Sequence, residues 1–306
     1  MSKLKKKLEE LGDYGSLLAF NGASRIFNLL PVNEAYRLGA GLGRLWLALD
    51  RRHRKVVEKN LELALGFEAK SSESRQLQKE IAEHLGQNLC ELFLLQSPGG
   101  RRLLRDNIEL KGLEHLEKIR RQDSGAIIVS AHLGNWEISG FVSHHLGKPI
   151  ATVGKPIKGK PRLYNAISAG RKVSGYTLLE KSGSAGTLVR KLKKGEYIGL
   201  LVDQRVRRRY RIWADFFGYR VPTTPAPAVL SRLSGCPIVP ACTYRLRPLH
   251  HRIEILEPFQ VPREGKSDAV IEEYTNRINA ILEQQIRAHP AQWFWPHDRW
   301  RKISSD

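Results

Sequence analysis

Four short apolar runs, rich in β-branched residues and bounded by Gly or Pro, alternate with helical segments from about residue 108 onward. The apolar runs are residues 126–129, 150–153, 197–202 and 238–241. The helical candidates between them are residues 135–146, 161–174, 184–194 and 225–234. This alternation predicts an α/β fold with a largely parallel central sheet flanked by helices on both faces.

The first hundred residues have apolar residues at helical spacing instead. One helix is predicted before Pro31, a second over Leu38–Leu49, and a third from Ile81 to Leu95. We therefore divide the chain into a helical N-terminal part, residues 1–107, and an α/β core, residues 108–306, packed as one compact unit. The cluster Lys3–Lys7 and the residues Leu17–Leu30 favour contact with a membrane interface. For Leu38–Leu49, packing against a core is an equal alternative.

Charge and cysteine content restrict the class of protein. The formal charge is +20, which attracts nucleic acid, anionic lipid headgroups or an acidic protein. No nucleic-acid-binding module accompanies this charge, so we expect no specific nucleic-acid partner. The three cysteines are widely spaced and indicate a reducing compartment without a disulfide framework or zinc site. No segment has the eighteen or so apolar residues of a membrane span, and no signal peptide is found. These features favour a cytosolic topology.

The sequence GAIIVSAHLGNWE, residues 125–137, places His132 just after a predicted strand and Glu137 at the start of a predicted helix. Ligands bind at the carboxyl ends of strands in such sheets. On a continuous helix the two side chains would point about 140° apart, so a turn at Gly134 with Asn135 as helix cap is needed to bring them together.

A carboxylate that accepts a hydrogen bond from one imidazole nitrogen leaves the other nitrogen free to take a proton from a hydroxyl group. We therefore predict that His132 is a general base oriented by Glu137, whose charge the helix N-terminus would favour. From spacing alone, a structural histidine beside an exposed glutamate is the alternative.

The segment His132–Glu137 resembles the signature of the bacterial lipid A late acyltransferases, a branch of the glycerolipid acyltransferases. Further motifs agree in the same order over roughly residues 15–300: Arg171 with Gly175, the run Leu200–Gln204, Phe216–Gly218 with Thr223–Pro225, and Gln292–His297.

The resemblance implies an enzyme that transfers a fatty acyl chain from acyl carrier protein to a hydroxyl group of a lipid A precursor. It would act peripherally, or shallowly anchored, on the cytoplasmic face of the bacterial inner membrane. The implied partners are acyl carrier protein, an anionic membrane lipid or lipid A precursor, and the membrane surface. No metal and no cofactor is expected, because the thioester donor is already activated and is a co-substrate. The predicted substrate-binding residues are Asn135, Lys155, Arg171, Asp203, Gln204 and Arg205.

Two positions depart from the family pattern. Lys155-Pro156 stands where the family usually has Arg-Pro, so the resemblance does not extend to bidentate phosphate binding at that point. Five arginines fall within Arg205–Arg211, which predicts either a phosphate contact at the mouth of the site or a solvated basic loop. The acceptor could therefore be another membrane lipid: a lysophospholipid, an aminolipid or a glycosylated phosphatidylinositol, with acyl-coenzyme A as the other donor. Hydrolysis of the thioester by water is a further alternative.

The C-terminal aromatic residues, Trp293, Phe294, Trp295 and Trp300, could line an acyl tunnel or belong to the core. His297 lacks a nearby orienting acid in the sequence and is predicted to be structural.

Overall fold

The computed structural model describes residues 3–68, 70–154, 156–179, 185–206 and 211–303. Within these residues, five helices precede the first strand: α1 Lys3–Leu29, α2 Val32–Leu49, α3 Arg51–Leu65, α4 Ser72–Leu94 and α5 Pro98–Arg105. Pro31 lies between α1 and α2, and the Ser71 hydroxyl caps α4 by accepting a hydrogen bond from the backbone N–H of Ser74 at 3.0 Å.

Helix α4 is the element on which α1 and α2 pack. Glycines allow a close approach of α2 to α4: a Cβ atom added at Gly43 would lie 1.9 Å from the carbonyl oxygen of Ala82. On α1, Phe20 and Phe27 pack their rings against Phe93 of α4. No helix in the described part of the chain is long and apolar enough to cross a membrane.

The described residues after α5 form a seven-stranded sheet with a small separate hairpin. The strands are β1 Ile108–Lys111, β2 Ala126–Ser130, β3 Ile150–Val153, β4 Tyr176–Leu179, β5 Tyr197–Leu201, β6 Ile212–Phe216, β7 Tyr219–Thr223, β8 Ile238–Arg247 and β9 His250–Ile255. Their order in the large sheet is β1-β9-β8-β2-β5-β3-β4, and β6 pairs with β7. From β8 to β4 the strands are parallel, whereas β9 runs antiparallel to β8 and β1 is parallel to β9. The predicted α/β fold with a largely parallel sheet is therefore confirmed.

Helices cover both faces of this sheet. They are α6 Leu113–Arg121, α7 Ser143–Leu146, α8 Pro161–Val173, α9 Ala185–Lys193, α10 Ala226–Ser234 and α11 Ser267–Ala288. Alternate residues of a strand point to opposite faces. Accordingly, Ile127 and Val129 of β2 share a core cluster with residues of α9, α10 and α11, while Ile128 packs in another cluster with residues of α6 and α7.

The helix predicted over residues 135–146 is wrong in its first half. A turn at residues 136–138 leads to a 3₁₀ turn, Ser139–Val142, and then to the single turn of α7. The Ser139 hydroxyl donates to the carbonyl oxygen of Trp136 at 2.7 Å. Hydrogen bonds from side chains to nearby backbone groups compete with helix formation, which accounts for the turn.

Candidate active site

His132 and Asp203 meet at the carboxyl ends of two neighbouring parallel strands. Ser130 ends β2 and is paired with Leu201, which ends β5. His132 and Asp203 each follow two residues later, so the sheet register brings them to the same place. The Nδ1 atom of His132 lies 2.8 Å from Oδ1 of Asp203, and the backbone N–H of His132 donates to Oδ2 at 3.0 Å.

Asp203 is 1% exposed, yet its surroundings favour the carboxylate. The indole N–H of Trp293 also donates to Oδ2, at 2.8 Å. Burial opposes ionisation, but the charge of His132 and the hydrogen bonds from His132 and Trp293 lower the pKa of Asp203 to about 2. An ionised Asp203 keeps the imidazole proton on Nδ1, and Nε2 of His132 is then a proton acceptor. The His132 side chain is 18% exposed and lines a cavity.

Glu137 does not orient His132, which corrects the pairing predicted from the sequence. Its carboxylate accepts two hydrogen bonds from Arg171 in the last turn of α8, from Nε at 2.7 Å and from Nη2 at 2.6 Å. Because residues 136–138 form a turn, no helix N-terminus is present to favour the charge of Glu137. The hydrogen bonds that Arg171 donates to Glu137 raise the pKa of Arg171. Both side chains line the same cavity as His132.

Asn135 is not a residue of this cavity. It is 1% exposed, and its amide donates to the buried carboxylate of Glu91 in α4. Its Oδ1 atom accepts the backbone N–H of Glu137 at 3.0 Å, so Asn135 stabilises the turn instead of capping a helix. The predicted turn at Gly134 is confirmed, since this residue has φ +60°.

The other predicted substrate-binding residues lie at different places. The amide Nε2 of Gln204 lies 3.4 Å from Nε2 of His132, and Gln204 lines the cavity. The backbone N–H of Arg205 donates to Nε2 of His297 at 3.0 Å, and burial lowers the pKa of His297 to about 4. Lys155 and residues 207–210 of the arginine-rich run lie outside the described residues.

The cavity has a volume of about 460 Å³ and extends across one face of the sheet. Its mouth is near Val153 and Leu201, which are 40% and 39% exposed at the carboxyl ends of their strands. The polar part of the wall contains His132, Gln204 and the Glu137–Arg171 pair. The inner wall is apolar and buried, and it consists of Leu116, Ile128, Val142, Ile150, Ala241, Ile253 and Ile255.

Gly199 of β5 keeps the cavity open where it crosses the sheet. A Cβ atom there would lie 2.9 Å from Cγ2 of Ile150, so any side chain would fill the space. Sequence reasoning missed this wall, although the alternation of residues in the strands assigns its strand residues to one face. Three of the C-terminal tryptophans, Trp293, Trp295 and Trp300, are instead at most 1% exposed and belong to the core.

The described residues contain no group of three or more His, Cys, Asp or Glu side chains that could hold a metal ion. Chemically, the arrangement offers a base whose tautomer is fixed by a buried carboxylate, a nearby arginine oriented by a glutamate, and an apolar space beside both.

Comparisons with known proteins identify a family and several relatives. The family model described as bacterial lipid A biosynthesis acyltransferase matches residues 1–302. A lipid A biosynthesis lauroyltransferase from Escherichia coli (strain K12) is 28% identical over 274 residues, which are 89% of this chain and 87% of that protein. A lipid A biosynthesis palmitoleoyltransferase from the same organism is 28% identical over 279 residues, 89% of this chain and 86% of that protein. A phosphatidylinositol mannoside acyltransferase from Mycobacterium tuberculosis (strain CDC 1551 / Oshkosh) is 26% identical over 226 residues, 71% of this chain and 68% of that protein.

Proposed function

The chain belongs to the bacterial lipid A biosynthesis acyltransferase family and is therefore an acyltransferase, and we propose that it moves a fatty acyl chain from acyl carrier protein to a hydroxyl group of a lipid A precursor. The product is an ester. The observation that carries this proposal is the His132–Asp203 pair at the polar end of a cavity whose inner wall is apolar.

The chemistry follows from the tautomer of His132. Nε2 takes the proton of the acceptor hydroxyl as its oxygen attacks the thioester carbonyl carbon. The carbon–sulfur bond of the resulting tetrahedral intermediate then breaks, and the imidazolium returns the proton to the departing thiolate. Asp203 stabilises the imidazolium between these two steps, since its carboxylate is 2.8 Å from Nδ1.

Arg171 is a cation that the described part of the cavity wall offers to the oxyanion of the tetrahedral intermediate. Glu137 engages Nε and Nη2 of the guanidinium, and Nη1 makes no hydrogen bond within the described residues. A guanidinium held in place by a carboxylate costs little reorganisation when charge develops on the substrate. We therefore assign Glu137 the role of orienting Arg171, instead of the role predicted from the sequence.

The apolar part of the cavity suits the hydrocarbon chain of the donor. Each methylene group removed from water there contributes roughly 0.8 kcal/mol. A thioester already has an activated carbonyl group, so the proposed reaction requires neither a metal nor another cofactor. The charge of +20 favours an acidic carrier protein and anionic lipids as partners.

The proposed location is the cytoplasmic face of the inner membrane, and two exposed apolar stripes support contact with a membrane surface. On α1, Leu11, Leu18 and Ile26 are 62%, 63% and 56% exposed and fall on one side of the helix, opposite the face packed on α4. On α2, Leu45 and Leu49 are 55% and 73% exposed. Apolar stripes beside basic residues are typical of helices that lie in a membrane interface.

The alternative acceptor is another membrane lipid: a lysophospholipid, an aminolipid or a glycosylated phosphatidylinositol. The phosphatidylinositol mannoside acyltransferase relative supports the last of these. In this version of the proposal the same site uses acyl-coenzyme A or acyl carrier protein as donor.

The test is transfer of a radiolabelled acyl chain in detergent micelles, with acyl carrier protein or coenzyme A as donor and each lipid class as acceptor. We expect the lipid A precursor and the carrier-protein donor to give the fastest ester formation. His132→Ala should abolish transfer, whereas the control His145→Ala, at an exposed position of α7, should not. Full transfer by folded His132→Ala would refute the mechanism. Donor consumption that is equal with and without acceptor would identify a thioesterase instead.

A further inference from the structure

A buried carboxylate of the N-terminal helices lies directly behind the turn that joins His132 to Glu137. Glu91 of α4 is 0% exposed. It accepts hydrogen bonds from Nε and Nη2 of Arg245 at 2.8 Å each and from Nε2 of His251 at 2.9 Å. The side-chain amide of Asn135 donates to the same carboxylate. Burial opposes ionisation, but Arg245 and His251 hold the pKa of Glu91 well below its usual range.

Helix α4 also holds the residue before Asn135. The carbonyl oxygen of Gly134 accepts a hydrogen bond from the Asn88 amide at 2.8 Å, and Nε2 of His84 lies 3.1 Å away. Gly134 has little space to move, because a Cβ atom there would lie 1.9 Å from the carbonyl oxygen of Thr243. Gly134 and Asn135, the two central residues between His132 and Glu137, are therefore both held by side chains of α4.

The opposite side of the turn is fixed by the C-terminal segment. The backbone N–H of Gly134 donates to the carbonyl oxygen of Gln292 at 3.0 Å. The backbone N–H of Phe294 donates to the carbonyl oxygen of His132 at 3.0 Å. Asn135 links Glu91 to the backbone N–H of Glu137 and so contributes to the direction of Glu137 relative to His132. The Ser174 hydroxyl holds the other side of Glu137 by donating to its carbonyl oxygen at 3.3 Å.

We propose that Glu91 and Asn135 are positioning residues of the acyl transfer, which set the distance between the base His132 and the Glu137–Arg171 pair. The inference rests on the proposed function of that pair. Buried ion pairs such as Glu91–Arg245 give a protein little stability over an apolar replacement. A fully hydrogen-bonded buried network does specify one conformation of the groups attached to it. Helix α4 thus belongs to the catalytic apparatus, apart from any role of the N-terminal helices at a membrane.

Asn135→Ala is the informative change, because it cuts the link and leaves the Glu91–Arg245 pair intact. Asn279→Ala is the matched control: Asn279 is also 1% exposed, and its amide donates to the carbonyl oxygen of Asp215, away from the cavity. Since a displacement of about 1 Å can cost roughly 100-fold in rate, we expect kcat of Asn135→Ala to fall at least about tenfold below that of the control. The KM values should stay within about threefold, because the apolar wall of the cavity is untouched.

The assay uses the full chain with micellar substrates, and hydrogen–deuterium exchange of the peptide spanning residues 131–139 is measured in parallel. Asn135→Ala should accelerate exchange in this peptide, and the control should not. A kcat equal to that of the control, or unchanged exchange in the peptide, overturns the positioning role. The exchange measurement needs no substrate, so it tests the turn even if the wild-type protein transfers no acyl chain, a result that would reject only the proposed function.

A charge-balanced exchange of the two side chains gives a second test. Glu91→Gln alone leaves Arg245 without its buried counterion, and Asn135→Asp alone adds a second buried carboxylate. The double variant, with Glu91→Gln and Asn135→Asp together, again pairs one carboxylate with one amide at these two positions. We expect its kcat to exceed that of either single variant by about tenfold, as for directly coupled residues. Additive losses in folded proteins would contradict the proposal.

Discussion

Asp203→Asn tests the tautomer on which the proposed chemistry depends. Oδ2 of Asp203 accepts two hydrogen bonds, from the backbone N–H of His132 at 3.0 Å and from the Trp293 indole at 2.8 Å. The oxygen of an asparagine amide would occupy that position, since its NH₂ group cannot face two donors. The NH₂ group would then donate to Nδ1 of His132 and place the imidazole proton on Nε2. Nε2 of His132, which faces the cavity, would then carry a proton and could not accept one from the acceptor hydroxyl.

The size of the effect follows from the alternative amide orientation. Turning the amide restores the productive tautomer but leaves two buried donors without acceptors, at about 1–3 kcal/mol each. The productive arrangement is therefore disfavoured by about 2–6 kcal/mol, and kcat should fall by roughly 30-fold to 10⁴-fold. Loss of the carboxylate charge beside the imidazolium acts in the same direction.

The assay is the single-turnover rate of acyl transfer at saturating donor and acceptor, with folding monitored by circular dichroism. Asp215→Asn is the control, because Asp215 is exposed on β6. It should retain the wild-type rate. If folded Asp203→Asn kept a rate within about threefold of the wild type, the role of Asp203 in fixing the tautomer would be wrong.

Three further predictions concern acid stability, chain length and membrane binding. Burial lowers the pKa of His297 from 6.5 to about 4, so between these pH values the unfolded chain binds a proton that the folded chain does not. The free energy of unfolding should therefore decrease as the pH is lowered from 6.5 to about 4. Urea titrations should show a flatter dependence between pH 6.5 and 4 for His297→Gln; an unchanged slope would contradict this. Gly199→Ala places a methyl group 2.9 Å from Ile150 in the cavity and should lower the ratio of long-chain to short-chain transfer by about tenfold, measured with donors in competition. Equal losses for both donors would argue against an acyl chain in the cavity. Leu18→Glu, at a position 63% exposed, should weaken sedimentation with anionic vesicles by about tenfold without lowering the melting temperature, and undiminished binding would exclude this stripe from the membrane contact.

Local patterns predicted the elements that have a strong period or clear limits. The runs at 126–129 and 150–153 are strands, and the segment at 161–174 corresponds to α8, which begins at Pro161. Strands β1, β4 and β9 were not predicted, because they are short or half-exposed and lack a continuous apolar run. The helix predicted directly after Asn135 is wrong, because the hydrogen bond from the Ser139 hydroxyl to the backbone competes with helix formation.

The sequence by itself determined that His132 lies at the end of a parallel strand and that Gly134 turns the chain. These are local properties of a strand and of a left-handed residue. Only the tertiary structure decided which acid supports the imidazole. β2 lies beside β5, and this neighbour relation brings Asp203 to His132 across 71 positions of the chain, while Glu137 turns towards α8. Strand order depends on how distant elements bury their apolar faces together, and no spacing of residues within one segment records it.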